Sequence, residues 1–168
     1  MEILFICTGN TCRSAMAEKM LNQLALKDDL NLFATSAGTQ AAEGDGMSAQ
    51  AIAALELLDF NSENHFTSRV PASIEAGLIL TATKEHLSIF PGRQNAFTIK
   101  EFAQLAKKSK ASSISDLIEE CNLRRSEALE LDINDPFDGK SERYNKVARE
   151  ILLAVSSIVE SLKPLLVD

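Results

Sequence analysis

Glu2-Ile3-Leu4-Phe5-Ile6-Cys7-Thr8-Gly9-Asn10-Thr11-Cys12-Arg13-Ser14 is the stretch that decides the fold. Residues 2–6 form a short apolar run with β-branched and aromatic side chains, the composition of a buried parallel strand. Cys7 to Arg13 then reads as a polar turn containing Gly9 and Asn10. Residues 15–27 have helical periodicity, with Ala17, Met20, Leu21, Leu24 and Ala25 on one face and Glu18, Lys19, Asn22 and Gln23 elsewhere. The chain opens strand, loop, helix.

Further along, a second strand is expected at residues 31–36, ending in Ala37-Gly38, followed by a glycine-rich loop over residues 38–46. Ser48 is a suitable N-cap for a helix to about Leu58. Residues 77–81 read as a third strand, and a helix near residues 84–90 is stopped by Pro91-Gly92. A brief fourth strand fits residues 96–98, and helices are expected around 100–107 and 115–129. The last helix spans about residues 141–162, where Ala148, Ile151, Leu152, Val155, Ile158, Val159 and Leu162 make a stripe for the core. Pro164 is expected to limit it. Strands alternating with helices imply an α/β fold: one domain over residues 1–168, an open, mainly four-stranded parallel sheet with helices on both faces, and a phosphate-binding loop after the first strand. Such sheets take ligands at the carboxyl ends of their strands, where the loop of residues 7–13 sits.

The 168 residues (18.3 kDa) are 45% hydrophobic and 24% charged, which suits a globular domain and excludes disorder. No apolar stretch approaches the roughly 18 residues of a membrane span, and residues 3–6 are too short for a signal-peptide core. A cytoplasmic protein with no membrane partner is expected. Cys7, Cys12 and Cys121 are too few for a disulfide framework, and with only His65 and His86 beside them there is little material for a metal centre. Neither metal nor cofactor is expected. The net charge is −7, and residues 112–142 hold nine acids against three bases, so the chain has no electrostatic footprint for nucleic acid. Its oligomeric state is left open.

A cysteine six positions before an arginine means little alone, but here a strand precedes the pair, a turn lies within it and a helix follows. A loop of this length can curl so that consecutive backbone N–H groups point inward, and the helix adds its positive end, making an anion cradle. Cys7 at its base would be a nucleophile, since amides and Arg13 around it favour the thiolate. Arg13 offers a planar fork for two phosphate oxygens. Ser14 can donate to the thiolate or cap the helix. Asn10 is expected in a left-handed conformation. Cys12 either packs the loop or traps an oxidised Cys7 as a disulfide. Thr8, Gly9, Asn10, Thr11, Cys12 and Ser14 are the expected binding residues.

A second site is Asn134-Asp135-Pro136-Phe137-Asp138-Gly139, before the last helix. Proline forces the residue before it extended, so the segment is at least a rigid turn. Functionally, Asp135 would protonate a leaving group and then activate water, with Phe137 walling the pocket. Asp132 and Asp138 compete for the acid role, with backbones less firmly set. Cys121, on an acidic amphipathic helix, reads as inert. His86 reads as a partly exposed helical histidine rather than a partner of Cys7, and Lys107, Lys108 and Lys110 as a solvated face.

Residues 7–14, Ala17-Glu18, Ser36-Ala37-Gly38 and the late Asp135-Pro136 together resemble the low-molecular-weight protein tyrosine phosphatase family, in matching order along the whole chain. Two departures are Ala15, where that family usually has proline, and an apparent extension between Lys107 and Leu131. At position 11 tyrosine-specific members usually carry isoleucine and the bacterial protein-arginine phosphatases threonine; this chain has Thr11. Phe97-Thr98-Ile99-Lys100-Glu101 and Asp135-Pro136-Phe137 also resemble the arginine-phosphatase branch. The resemblance implies phosphorylated proteins as substrates, attack of Cys7 on phosphorus, Arg13 clamping the phosphoryl group, and Asp135 contacting and protonating the guanidinium. Alternatives are a tyrosine phosphatase of the same family, a thiol-linked arsenate reductase, and a phosphate carrier. The reductase needs further cysteines, typically after the third strand, and residues 77–120 contain none; a carrier would need neither Arg13 nor Asp135.

Overall fold

Four strands, β1 (Glu2–Cys7), β2 (Phe33–Gly38), β3 (Leu78–Thr81) and β4 (Ala96–Thr98), form one parallel sheet in the order β2-β1-β3-β4. This is seen in a computed structural model that describes residues 1–137 and 139–166. The helices are α1 (Arg13–Lys27), α2 (Ala49–Leu57), α3 (Lys84–Leu87), α4 (Ile99–Ala106), α5 (Ile114–Leu123) and α6 (Ser141–Leu166), with a 3-10 turn at Arg125–Glu127. Among the described residues no helix is long and apolar enough to cross a membrane.

Period-2 alternation divides the core between the two faces of the sheet. Ile3, Phe5, Leu78, Leu80 and Phe97 join the larger core with residues of α1, α2, α4 and α6; α1, α2 and α4 all pack on α6. Leu4, Ile6, Ile79 and Ala96 join a smaller core with Val70, Ile74, and Leu87 and Phe90 from α3 and the turn after it. Since β1 is buried on both faces, its run is apolar throughout. The crossovers place α1 and α3 after neighbouring strands, so the loops leaving β1, β2 and β3 meet at one end of the sheet.

Several boundaries differ from the sequence-based expectation. β2 lies two residues later, in a register from Glu2↔Phe33 to Cys7↔Gly38 set by its pairing with β1. α1 begins at Arg13, directly out of the loop. α3 is one turn capped by the Thr83 side chain, and residues 88–90 continue only as hydrogen-bonded turns. α4 starts one residue early because Thr98 and Glu101 form a reciprocal capping box. α5 stops at Leu123, not residue 129, and the 3-10 turn swings Arg125 onto the sheet edge. There Arg125 bonds both carboxylate oxygens of buried Glu101 at 3.2 Å and the Ala96 carbonyl at 2.6 Å, with its guanidinium 4.1 Å from the centre of the Phe97 ring. Pro164 does not end α6, which continues to Leu166. Leu165 and Leu166 pack against the core and hold the last turn helical despite the bond that Pro164 cannot donate.

Candidate active site

Four carbonyls of the loop after β1 are held from outside. The Cys7 carbonyl accepts from Thr39 N–H, Thr8 from Gln40 N–H, Asn10 from His65 Nε2 and Thr11 from Ser48 N–H, at 2.7–3.0 Å, while the Cys12 carbonyl accepts the first bond of α1 from Met16 N–H at 2.8 Å. In a trans peptide the N–H points opposite to the C=O, and the described residues contain no cis bond. Pulling the carbonyls outward therefore turns the following amides inward, around Cys7. The N-terminus of α1 faces the same way, without a side-chain cap or an acid in its first turn. Its orphan N–H groups and the loop amides make a concave donor surface suited to an anion.

Asn10 closes the curl. It has φ 57°, as expected, and its amide nitrogen donates to Ser14 Oγ (2.9 Å) and Ser36 Oγ (2.8 Å) while its oxygen accepts from Ser68 N–H (2.9 Å). The Ser36 hydroxyl donates to the Glu18 carboxylate, which lies 3.8 Å from Nδ1 of buried His65. Gly38 permits the close approach of the two loops: a Cβ there would stand 2.4 Å from the Thr8 carbonyl oxygen and 2.9 Å from Asn10 N.

Cys7 and Arg13, 3% and 4% exposed, lie at the base of a cavity of about 190 Å³. Cys7 Sγ is 2.9 Å from Ser14 Oγ. Arg13 donates through Nη1 to the Ile133 carbonyl (3.1 Å) and through Nη2 to Asp135 Oδ2 (2.8 Å). That leaves three of the five guanidinium N–H groups for a ligand. Asp135 Oδ1 accepts from Phe137 N–H at 3.0 Å, so the turn orients the carboxylate. Thr8, Gly9, Thr11 and Cys12 line the cavity from the loop, Phe137 and Tyr144 from the opposite side. Among the described residues no cluster of three or more His, Cys, Asp or Glu could hold a metal.

The fold thus gathers Cys7, Thr8, Gly9, Thr11, Cys12, Arg13, Asp135 and Phe137 at one cavity, with Asn10 and Ser14 behind it. Burial, with Cys7 next to it, pushes the Cys12 thiol well above its ordinary value. Cys121 is buried in α5, its thiol pushed up to about 12 by desolvation, which agrees with an inert cysteine. Asp132 accepts from Lys84 N–H at the start of α3 (2.8 Å), a helix-capping task apart from the cavity; Asp138 lies outside the described residues. His86 corrects the expectation of partial exposure: it is buried, with Nε2 2.9 Å from Thr8 Oγ1 and Nδ1 2.8 Å from Thr83 Oγ1. Its helix is a single turn packed beside the loop, so little of the side chain reaches solvent. Three further groups were not singled out from sequence: His65 behind Asn10, the Ile133 carbonyl on Arg13, and Tyr144 in the wall. None of the three carries a local signal, since each reaches the site only through tertiary packing.

A family model for low molecular weight phosphotyrosine protein phosphatase matches residues 2–165. The protein-arginine-phosphatase of Bacillus subtilis (strain 168) is 28% identical over 170 residues, covering 97% of each chain. The low molecular weight protein-tyrosine-phosphatase PtpB of Staphylococcus epidermidis is 26% identical over 162 residues, covering 94% of this chain and 96% of its own. Among solved structures, a mutant of YwlE arginine phosphatase with a phosphorylated active-site serine is 28% identical and superposes with a TM-score of 0.77, covering 97% of this chain and 96% of that one.

Proposed function

The chain belongs to the low molecular weight phosphotyrosine protein phosphatase family, and we propose that this protein phosphatase acts on phosphoarginine in proteins, and less readily on phosphotyrosine, through a cysteinyl-phosphate intermediate. The Cys7 thiolate attacks phosphorus, forming the S–P bond as the P–N bond to the guanidine breaks. Inward amides and the unpaired N–H groups of Arg13 hold the phosphoryl oxygens, where charge gathers in the transition state. Asp135, protonated, gives its proton to the departing nitrogen. As carboxylate it then takes a proton from the water that attacks phosphorus, releasing inorganic phosphate and the thiolate.

The observation that carries the substrate reading is Thr11 at the cavity wall, its Oγ1 over Gly9, with a 3.5 Å separation from where a Cβ on that glycine would lie. A hydroxyl there makes a more polar wall than isoleucine would, which suits a guanidinium better than a phenyl ring. The acid beside Arg13 supports the same reading. Guanidine is a stronger base than a phenolate, so its departure depends more on a placed proton donor.

The test is side-by-side steady-state kinetics on phosphoarginine and phosphotyrosine peptides. The parent protein should turn over phosphoarginine faster, Thr11→Ile should move the preference toward phosphotyrosine by about tenfold, the scale of a modest pocket change, and Cys7→Ser should abolish turnover of both. A parent protein that prefers phosphotyrosine overturns the substrate assignment; full activity in Cys7→Ser overturns the mechanism.

A further inference from the structure

His86 is buried, yet both its ring nitrogens meet hydroxyl groups, joining the start of α3 to the residue after Cys7 across 78 positions of chain. Thr83 favours one direction for these bonds. Its Oγ1 already accepts the His86 backbone N–H at 3.3 Å as the cap of α3. Its single proton is then free for Nδ1 of the ring, and an imidazole accepting at Nδ1 carries its own proton on Nε2. In that tautomer Nε2–H donates to Thr8 Oγ1, 2.9 Å away. Thr8 lines the cavity with Cys7 and Arg13, and among the described residues its hydroxyl has no other partner.

We propose that His86 is a positioning residue: as the neutral Nε2–H tautomer it occupies a lone pair of Thr8 and so turns the Thr8 hydroxyl proton into the cavity, toward an anionic phosphoryl oxygen. The opposite tautomer would leave the Thr83 proton without an acceptor and present Thr8 lone pairs to the anion, an unfavourable arrangement on both counts. Burial, more than the charged groups around it, keeps the ring neutral. Burial lowers its proton affinity first and Arg13 adds to that, against weaker opposition from Glu85, Asp135 and Asp132. This inference rests on the cavity being a phosphoryl site, as proposed above.

The test compares the parent with His86→Phe, Thr8→Val, the double variant and His86→Gln, whose amide N–H can replace Nε2–H. Titration calorimetry with inorganic phosphate gives affinity, an aryl phosphate gives kcat and KM, and a melting curve shows that each variant is folded. A hydrogen bond to a charged group corresponds to about tenfold or more in affinity. His86→Phe and Thr8→Val should therefore each weaken phosphate by about that factor, with the double variant no weaker than either alone. His86→Gln should restore most of the loss, which a purely space-filling role for the ring would not allow. Parental phosphate affinity in folded His86→Phe, or multiplying losses in the double variant, overturns the proposal. If His86→Phe does not fold, Thr8→Val decides alone, and parental affinity there overturns it. Should the parent fail to turn over any phosphate ester, the mechanism of the previous section falls, while the calorimetry still decides this one.

Discussion

Gly38 is held to its identity by main-chain atoms. A Cβ there would meet Ala41 Cβ and, in the active loop, a carbonyl oxygen and an amide nitrogen, none of which can swing aside as the far end of a flexible side chain does. Gly38→Ala should cost about 1–3 kcal/mol, as overpacking does, measured by urea denaturation. It should also lower kcat/KM, since the strain falls on Thr8 and Asn10; unchanged stability and activity would show that the two loops can separate. Asp135 invites a different single-residue experiment, because it touches both Arg13 and the space over the cavity. As general acid its loss costs about 10²–10⁴ in rate. Asp135→Ala should show that fall on a phosphoarginine peptide and a smaller one on nitrophenyl phosphate, whose leaving group needs no proton. Equal losses on both would mean that Asp135 serves only to hold Arg13.

At the scale of elements, the segment from α5 to the 3-10 turn is fastened to the sheet by Arg125. Glu101 is 4% exposed in its side chain, and Arg125 meets both of its oxygens. Arg125→Met would leave a buried carboxylate facing a thioether. Removing one partner of a buried pair costs about 3–5 kcal/mol, and partial exposure of Arg125 puts the expected loss at about 2–4 kcal/mol, read from denaturant midpoints. Adding Glu101→Gln should recover part of it; no recovery would locate the effect in the stacking on Phe97 instead. α1 shows the converse economy. It lacks a side-chain cap at the end that faces the cavity, whereas Ser48, Thr83, Thr98 and Ser113 cap α2, α3, α4 and α5. The unsatisfied amides of α1 remain open toward the cavity, as an anion-binding site requires.

For the molecule as a whole, acid should be destabilising in two stages. His86 has its proton affinity lowered in the fold, so below the unfolded value of 6.5 the unfolded chain takes up a proton that the native one resists. Stability therefore falls with falling pH through that window. Glu120 and Glu127, held below 4.5 by Ser109 and Arg124 respectively, contribute in the same sense at lower pH, where they must be protonated. The melting temperature should decline on acidification from pH 7.5, and His86→Gln should flatten the first part of that decline. A flat parental curve between pH 7.5 and 5.5 would contradict the burial of a neutral imidazole.

The strand, loop and helix of residues 2–27, with Cys7, Arg13 and the left-handed Asn10, were legible because their determinants are local: an apolar run, a spacing, a turn residue and a period. The parallel architecture followed from the alternation of strands and helices. Helix ends read less well where a distant partner sets them, as Arg125 does for α5, or where a breaker falls in a last turn, as at Pro164. The chain alone also supplied Asp135 as a candidate, on the rigidity of its Asp-Pro turn. That its carboxylate meets Arg13, 122 positions earlier, that the Ile133 carbonyl steadies the same guanidinium, and that His65 and His86 are buried against the loop were decided only by tertiary structure. The physical reason is distance along the chain: periodicity and turn chemistry report on neighbours within a few residues, whereas these contacts exist only once β1, β3 and the segment before α6 have packed together.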